Sequence, residues 1–552
     1  MIDYSVIPGT SHLVELNKEK LLQLDVAGKD KDVILIPRPT TDPNDPLNWS
    51  RNRKYLQMFC MVVFCFSIGI PTAVIYSILT QISSETGISL GTLNDGTGYM
   101  FLMLGIANLW FLPLASQIGK RPIYLLSSLA VCLLTLWEAY AKTGGSWIGA
   151  KILQGVFAAP VEALCEVTVS DIWFEHERGR WMGLYALSLF GSNYMGPMVA
   201  GFIADGQGWD WVIYWSCIFC AIATVFLFFF MEETNYTRPV PNEDDSDIEI
   251  VLSNVRDGTV TAVLSKQLSG RQQEKNLANA NIEIVRENLE LDSSIPLTTY
   301  REKLRLYKSR DWRWFKTFLI GPLKMAQFPV VLYSGFLYGA SLFWYSVMNG
   351  TISSVFTASP YNFSNAMTGL VYVSPLIFAI LMNFYAGYAS DWLKLKLAER
   401  RGGTSYAEDR LWLLILYMIL GPAALFLYGI GAYYGIHWFG LVIGAGVTGG
   451  CIILGAASAC TYTVDTYREM SCEAMVIVVL IRNTMNFAMD YGITPWISNT
   501  GLKKTFLAGG FICFFCAGTF LIMELTGPYW RRKTKDRYWK IIEGRRAKGI
   551  CH

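Results

Sequence analysis

In a chain of 552 residues, 52% are hydrophobic, 14% aromatic and only 16% charged, against about 25% charged in ordinary globular chains. A net charge of +2 excludes a strongly basic nucleic-acid binder and an acidic disordered chain, and four histidines exclude a His-rich metal protein. What remains is a polytopic membrane protein.

Residues 1–54 are polar, so no cleavable signal peptide is expected. A bilayer core of about 30 Å needs roughly 20 apolar residues per crossing. Twelve runs meet that need. In the first half spans 1 to 6 lie near 55–80, 97–116, 122–141, 147–170, 182–204 and 211–231. In the second half spans 7 to 12 lie near 328–350, 366–389, 411–434, 438–461, 473–497 and 505–526. The window 242–292 between them is polar and without sustained period, which predicts a mostly disordered linker.

The expected fold is all-α with 12 transmembrane helices, arranged as a segment at 1–54, a six-helix bundle over 55–231, a linker over 232–327, a second six-helix bundle over 328–526 and a basic tail at 527–552. With both termini in the cytoplasm, only Lys142, Lys503 and Lys504 fall in external loops, and Lys151 and Arg482 fall inside spans. The remainder of the 46 basic residues then lies inside, as the positive-inside rule requires. The sequons at Asn349 and Asn362 fall outside, between spans 7 and 8, and are candidate glycosylation sites. Twelve cysteines are scattered, mostly within apolar runs. Even the C-x-x-C pairs Cys217/Cys220 and Cys513/Cys516 read as apolar fillers rather than metal or redox sites.

After span 2 comes Gly119-Lys120-Arg121-Pro122, a glycine turn followed by two cations. Gly387-Tyr-Ala-Ser-Asp391, with Lys394 and Lys396 beyond it, stands at the matching place after span 8. Matching signals after the second span of each half point to duplicated bundles. Together with Asp42-Pro-Asn-Asp-Pro-Leu-Asn-Trp49, the span 4–5 loop from Asp171 to Arg178 and Arg180, and Glu408-Asp409-Arg410-Leu411, they resemble the fungal twelve-helix drug:proton antiporter family of the major facilitator superfamily. Within that family the chain is most similar to permeases of the histidinol/polyamine type. The resemblance implies the major facilitator fold, gating roles for Gly119, Lys120, Arg121, Gly387, Asp391, Asp171, Arg178 and Arg180, and a plasma-membrane location. It also departs from the pattern. Ser116 and Leu112 replace an acidic residue and a glycine in the first gating loop, and Lys151 replaces the arginine linked to proton coupling. Gly196-Pro197-Met-Val-Ala200-Gly201 in span 5 resembles the antiporter signature, with Ala200 replacing one glycine.

Charges inside spans are the strongest signal in the residues themselves, because each is costly unless paired or wet. At about 100° per residue, Lys151, Glu162 and Glu166 share a stripe about 60° wide on span 4. Glu162 and Glu166 are one turn apart, close enough for one to hold a proton, which suits exchange of protons for cations. On span 11, Arg482, Asn486 and Asp490 cover about 80° of one face. That face is either a hydrogen-bonded seam, with Arg482 paired to a carboxylate, or a second anionic wall. Tyr338, Trp344 and Tyr345 on span 7 are candidate cation–π walls. Glu138 and Glu524, near span ends, have no expected role.

The expected function is a proton-coupled secondary transporter of a small organic cation, a polyamine or amino alcohol, working as a monomer in the lipid bilayer with substrate and protons as its partners. No cofactor or nucleic acid is expected. The alternatives are proton-driven export of apolar drugs and a transporter-like nutrient sensor. The short basic tail speaks against the sensor. With no Walker-type loop or catalytic triad in the sequence, an enzyme is not expected.

Overall fold

The structure, a computed structural model, describes residues 7–12, 42–236, 250–256, 259–264, 281–284, 299, 302, 304, 315–401 and 404–546. Among the described residues, eleven helices are long and apolar enough to cross a membrane: Arg51–Ser77, Leu90–Ile118, Lys120–Ala139, Gly144–Ile172, Trp209–Phe230, Pro329–Thr357, Asn365–Arg400, Ala407–Tyr434, Trp438–Thr466, Arg468–Thr500 and Leu502–Arg545. The helix Glu175–Gln207 takes the remaining place as span 5, its hydropathy diluted by a polar first turn and internal Ser, Asn and Asp. Every expected span is therefore present, as two six-helix bundles. The helices overrun the apolar runs at both ends, because capped turns continue past the hydrocarbon: Ser89 caps span 2 and Thr143 caps span 4 through their side-chain oxygens.

Both described chain ends lie on one face, here called the terminal face. Thr10–His12 pairs antiparallel with Thr404–Tyr406, and Arg531 binds the Pro8 carbonyl at 2.6 Å. The first part of the expected basic tail is helical: span 12 runs unbroken from Leu502 to Arg546. Its extension is held by Arg531 against Glu408 at 2.8 Å, by Tyr538 against Glu469 and by Arg545 against Glu473.

The linker expected as mostly disordered lies largely outside the described residues. Where it is described it has structure. Ile250–Arg256, Thr259–Leu264 and Asn281–Ile284 form a small three-stranded sheet, and Phe315–Met325 is a helix. The strand sequences are rich in β-branched residues, which the low average hydropathy of the window concealed.

The bundles meet where span 2 packs on span 11 and span 5 on span 8. A Cβ at Gly98 or Gly105 would press on Asp490 and Asn483 of span 11, so glycine sets that approach. At Gly201 a Cβ would lie 2.1 Å from the Asn365 carbonyl oxygen at the start of span 8. Polar contacts between bundles concentrate toward the far face. Thr80 bonds Ser353 at 2.8 Å, Asn94 bonds Thr494 at 3.1 Å, Asn365 bonds Gln81 at 2.8 Å, and Asp205 accepts from the backbone of Asn365 and Ala366. The far side of the junction is shut.

Candidate functional site at the bundle junction

Span 4 is two helices, Gly144–Ala158 and Pro160–Ile172. Pro160 has no N–H to continue the ladder, so the helix breaks one residue before it. Tyr185 of span 5 supports the new start by donating its hydroxyl to the carbonyls of Val161 and Glu162, each at 2.9 Å. Glu162, in the first turn after the break, sends its carboxylate across the junction. It pairs with Arg482 of span 11 and accepts from Asn483 Nδ2 at 3.0 Å. The Arg482 guanidinium also donates to Asn483 Oδ1, at 3.2 and 2.9 Å, and lies 4.7 Å from the centre of the Tyr338 ring. All four residues are buried. Of the two readings of Arg482 the paired one is present, and its carboxylate belongs to the other bundle.

Lys151 is not part of this group. Its ammonium pairs with Glu138 of span 3 at 2.9 Å and donates to Gln154 at 2.9 Å, and Gln154 reaches Thr135 at 3.3 Å. Relative exposures of 0% for Lys151 and 1% for Glu138 rule out snorkelling, so Glu138 is an interior partner. Lys151 and Glu162 share a stripe on the wheel but lie about three turns apart along span 4, and at its own level Lys151 is taken up by Glu138 of span 3.

Two other carboxylates face the junction. Glu166, one turn beyond Glu162 toward the terminal face, is half-buried and has neither hydrogen bond nor ion pair among the described residues. It lies within electrostatic reach of Tyr185, Tyr338 and Cys460, which belong to three other spans. Asp490, two turns beyond Arg482 toward the far face, is buried with Oδ2 unpartnered, and both side-chain polar atoms of Asn486 are likewise buried without partners. Tyr345 joins this wall edge-on to Tyr194 of the opposite bundle, 5.4 Å between ring centres. Trp344 does not: its ring packs on Gly509 of span 12, inside its own bundle. Neighbours on a helix point about 100° apart, so Trp344 and Tyr345 meet different surroundings, which a list of aromatics cannot express.

On the terminal face Lys120 pairs with Asp171, and Arg121 donates to the carbonyls of Met231 and Phe228 at 2.8 and 2.6 Å. Glu233, a residue sequence reading missed, accepts from the backbone N–H groups of Lys120 and Arg121 and so caps span 3. Gly119 is required there, with φ +119° and the Glu233 carboxylate where a Cβ would stand. The second half repeats the arrangement with other residues: Asp465 takes Arg410 at 2.8 Å and Lys394 at 3.2 Å. Sequence reading missed Asp465; the signal that could have found it is its place at the end of span 10, matching Asp171 at the end of span 4. Gly387 lies on span 8 with open space beside it, and Arg180 is exposed over Trp181. The side chains of Asp391 and Arg178 lie outside the described residues. In span 5, Pro197 sits within the helix and Gly196 packs closely on Ile70 of span 1.

The sequons separate. Asn362 is exposed in the far-face loop. Asn349 is 6% exposed inside the span 7 helix, where no glycan could be attached, which corrects that expectation.

A profile of the Major Facilitator Superfamily matches residues 58–471. An uncharacterized MFS-type transporter of Schizosaccharomyces pombe is 31% identical over 98% of this chain and 95% of its own length. Protein HOL1 of Saccharomyces cerevisiae is 27% identical over 97% of each chain, and the MFS antiporter QDR3 of Candida albicans is 23% identical over 96% of this chain and 86% of its own. Among solved structures, a partially occluded inward-open conformation of the Escherichia coli xylose transporter XylE superposes with a TM-score of 0.55, at 11% identity, over 85% of this chain and 97% of that one.

Proposed function

Since the chain belongs to the major facilitator superfamily, we propose that this membrane transporter exchanges protons for a small organic cation of polyamine or amino-alcohol type. The observation that carries the reading is the charge pattern on spans 4 and 11 at the junction: three buried or half-buried carboxylates, Glu162, Glu166 and Asp490, against one guanidinium, Arg482, which pairs with Glu162. Arg482 neutralises one of them. A carboxylate of this group that is free of the arginine is a seat for a proton or an ammonium group, and exchange of one for the other at Glu162 couples their movements. Tyr338 and Tyr345 supply aromatic walls beside those seats. An anionic substrate would meet repulsion from two of the three carboxylates.

Transport follows by alternating access. The far side is shut through spans 5 and 8 and the contacts of Asn365. Rocking the bundles would break those contacts and close the terminal side, where the Lys120–Asp171 and Arg410–Asp465 clusters stiffen the hinge of each half. Arg178, Arg180, Gly387 and Asp391 belong to the same hinges. The terminal face is cytoplasmic on the distribution of lysine and arginine, and the membrane is the plasma membrane. The relative QDR3 is named an antiporter, which agrees with exchange.

The test is uptake and efflux of a panel of labelled polyamines, amino alcohols and neutral analogues in a transporter-deleted host, with and without a pH gradient. Movement of cations that collapses with the gradient supports the reading. Transport of neutral compounds alone, or of cations indifferent to the gradient, refutes it.

A further inference from the structure

Arg482 is the only described positive charge paired at the junction, and it has two carboxylates within one helical turn of each other to choose from. Glu162 and Glu166 are four residues apart, about 6 Å along the helix axis. Glu162 holds the guanidinium; Glu166 has no partner among the described residues. Direction favours a move between them. A long side chain on a helix leans toward the helix N-terminus, which for span 11 is its terminal-face end. Glu166 lies on that side of Glu162. Tyr338 is common to both positions, its ring under the guanidinium at 4.7 Å and within electrostatic reach of Glu166.

We propose that Arg482 is a tethered cation with two seats: it sits on Glu162 when the site is empty and moves to Glu166 when a proton or a substrate ammonium takes Glu162. The reason is energetic. If Arg482 had only one seat, every cation that reached Glu162 would strand a buried guanidinium, a strongly unfavourable state. With a second seat one turn away the arginine stays paired throughout, and the exchange at Glu162 meets no such barrier. The other titratable groups facing this pair are Tyr185 from span 5, Tyr338 from span 7, Cys460 from span 10, Cys165 on span 4, and Cys472 and Asp490 on span 11. None of them carries a positive charge that would compete for either carboxylate.

The nature of the displacing cation rests on the proposed function; the two seats do not, and they can be tested with no substrate present. Thermal unfolding of the full chain in lipid nanodiscs is measured for Glu162→Gln, Glu166→Gln and both together. Either single change leaves Arg482 one seat and should lower the midpoint slightly. The double change leaves none and should lower it well beyond the sum of the single losses. Failure of the double variant to accumulate as folded protein, while both singles do, counts as the same result. Adding Arg482→Gln to the double variant should then restore the midpoint, or the folded yield, because it removes the stranded charge. A double variant no worse than the sum of the singles, or one that Arg482→Gln does not rescue, overturns the proposal. Loss of cation transport from the panel above would refute the proposed function and leave this thermal cycle unaffected.

Discussion

The chain holds two buried ion pairs of similar chemistry in different mechanical settings. Lys151–Glu138 joins spans 3 and 4 within the first bundle, sealed by Gln154, Thr135 and Trp147. Glu162–Arg482 joins span 4 to span 11 across the junction between bundles, beside carboxylates and amides that have no partners. A buried pair inside a rigid unit only has to survive. A pair across a moving junction has to be made and released; the difference lies in the helices joined, since Glu138 Oε1 and Trp147 Nε1 beside the first pair are also buried without partners. The same residue types therefore carry different work, decided by which helices they connect.

The sharpest way to break this comparison is to replace each pair by apolar residues of similar size, a change that is often neutral for stability when both partners go. Glu162→Leu with Arg482→Met should fold and lose transport entirely. Glu138→Leu with Lys151→Met should fold and keep transporting. Transport measured against folded yield separates the two, and equal behaviour of the two double variants would contradict the distinction. Next in size is the single change Glu138→Leu, which strands Lys151 and should cost about 3–5 kcal/mol of stability, read as a loss of folded protein that Lys151→Met recovers.

Smaller effects sharpen the picture of the junction. Gly201→Val places side-chain atoms where the Asn365 carbonyl now lies. It should weaken far-face closure, increase labelling of far-side cysteines and slow transport several-fold with folding intact. Smallest is the contrast between sequons: Asn362→Gln should remove any glycan-dependent shift in mobility, and Asn349→Gln should not change it.

The fold was legible almost throughout, because twelve crossings of a bilayer impose long apolar runs that packing cannot disguise. Span 5 and the polar extension of span 12 were the weaker signals, one diluted by polar residues and the other a basic segment whose helix lies beyond the apolar run. Glu162, Arg482 and Asp490 were legible as costly intramembrane charges. Their partners were not, since Glu162 and Arg482 are 320 residues apart in the chain. Lys151 shares the wheel stripe of Glu162 but lies about three turns away along the helix, where Glu138 of span 3 takes its charge. Glu138 was dismissed for lying near a span end, although depth within the bundle, not position along the helix, decides burial. The gating cluster of the second half was half visible: Arg410 was in a recognised motif, and Asp465, its partner, carried no motif of its own.

The central claim is that the Glu162 carboxylate couples cation to proton at the junction, and the direct measurement is accumulation of a labelled cation in vesicles under an imposed pH gradient. Glu162→Gln keeps the shape and removes the charge, and Glu138→Gln serves as the comparison within the first bundle. The account predicts that normally inserted Glu162→Gln loses gradient-driven accumulation by about tenfold or more, the factor expected when an interaction worth about 1.4 kcal/mol or more is lost. Glu138→Gln, per folded molecule, should keep most of its accumulation. Wild-type accumulation by Glu162→Gln, with an unchanged pH profile, would contradict the account and leave the junction pair a structural contact.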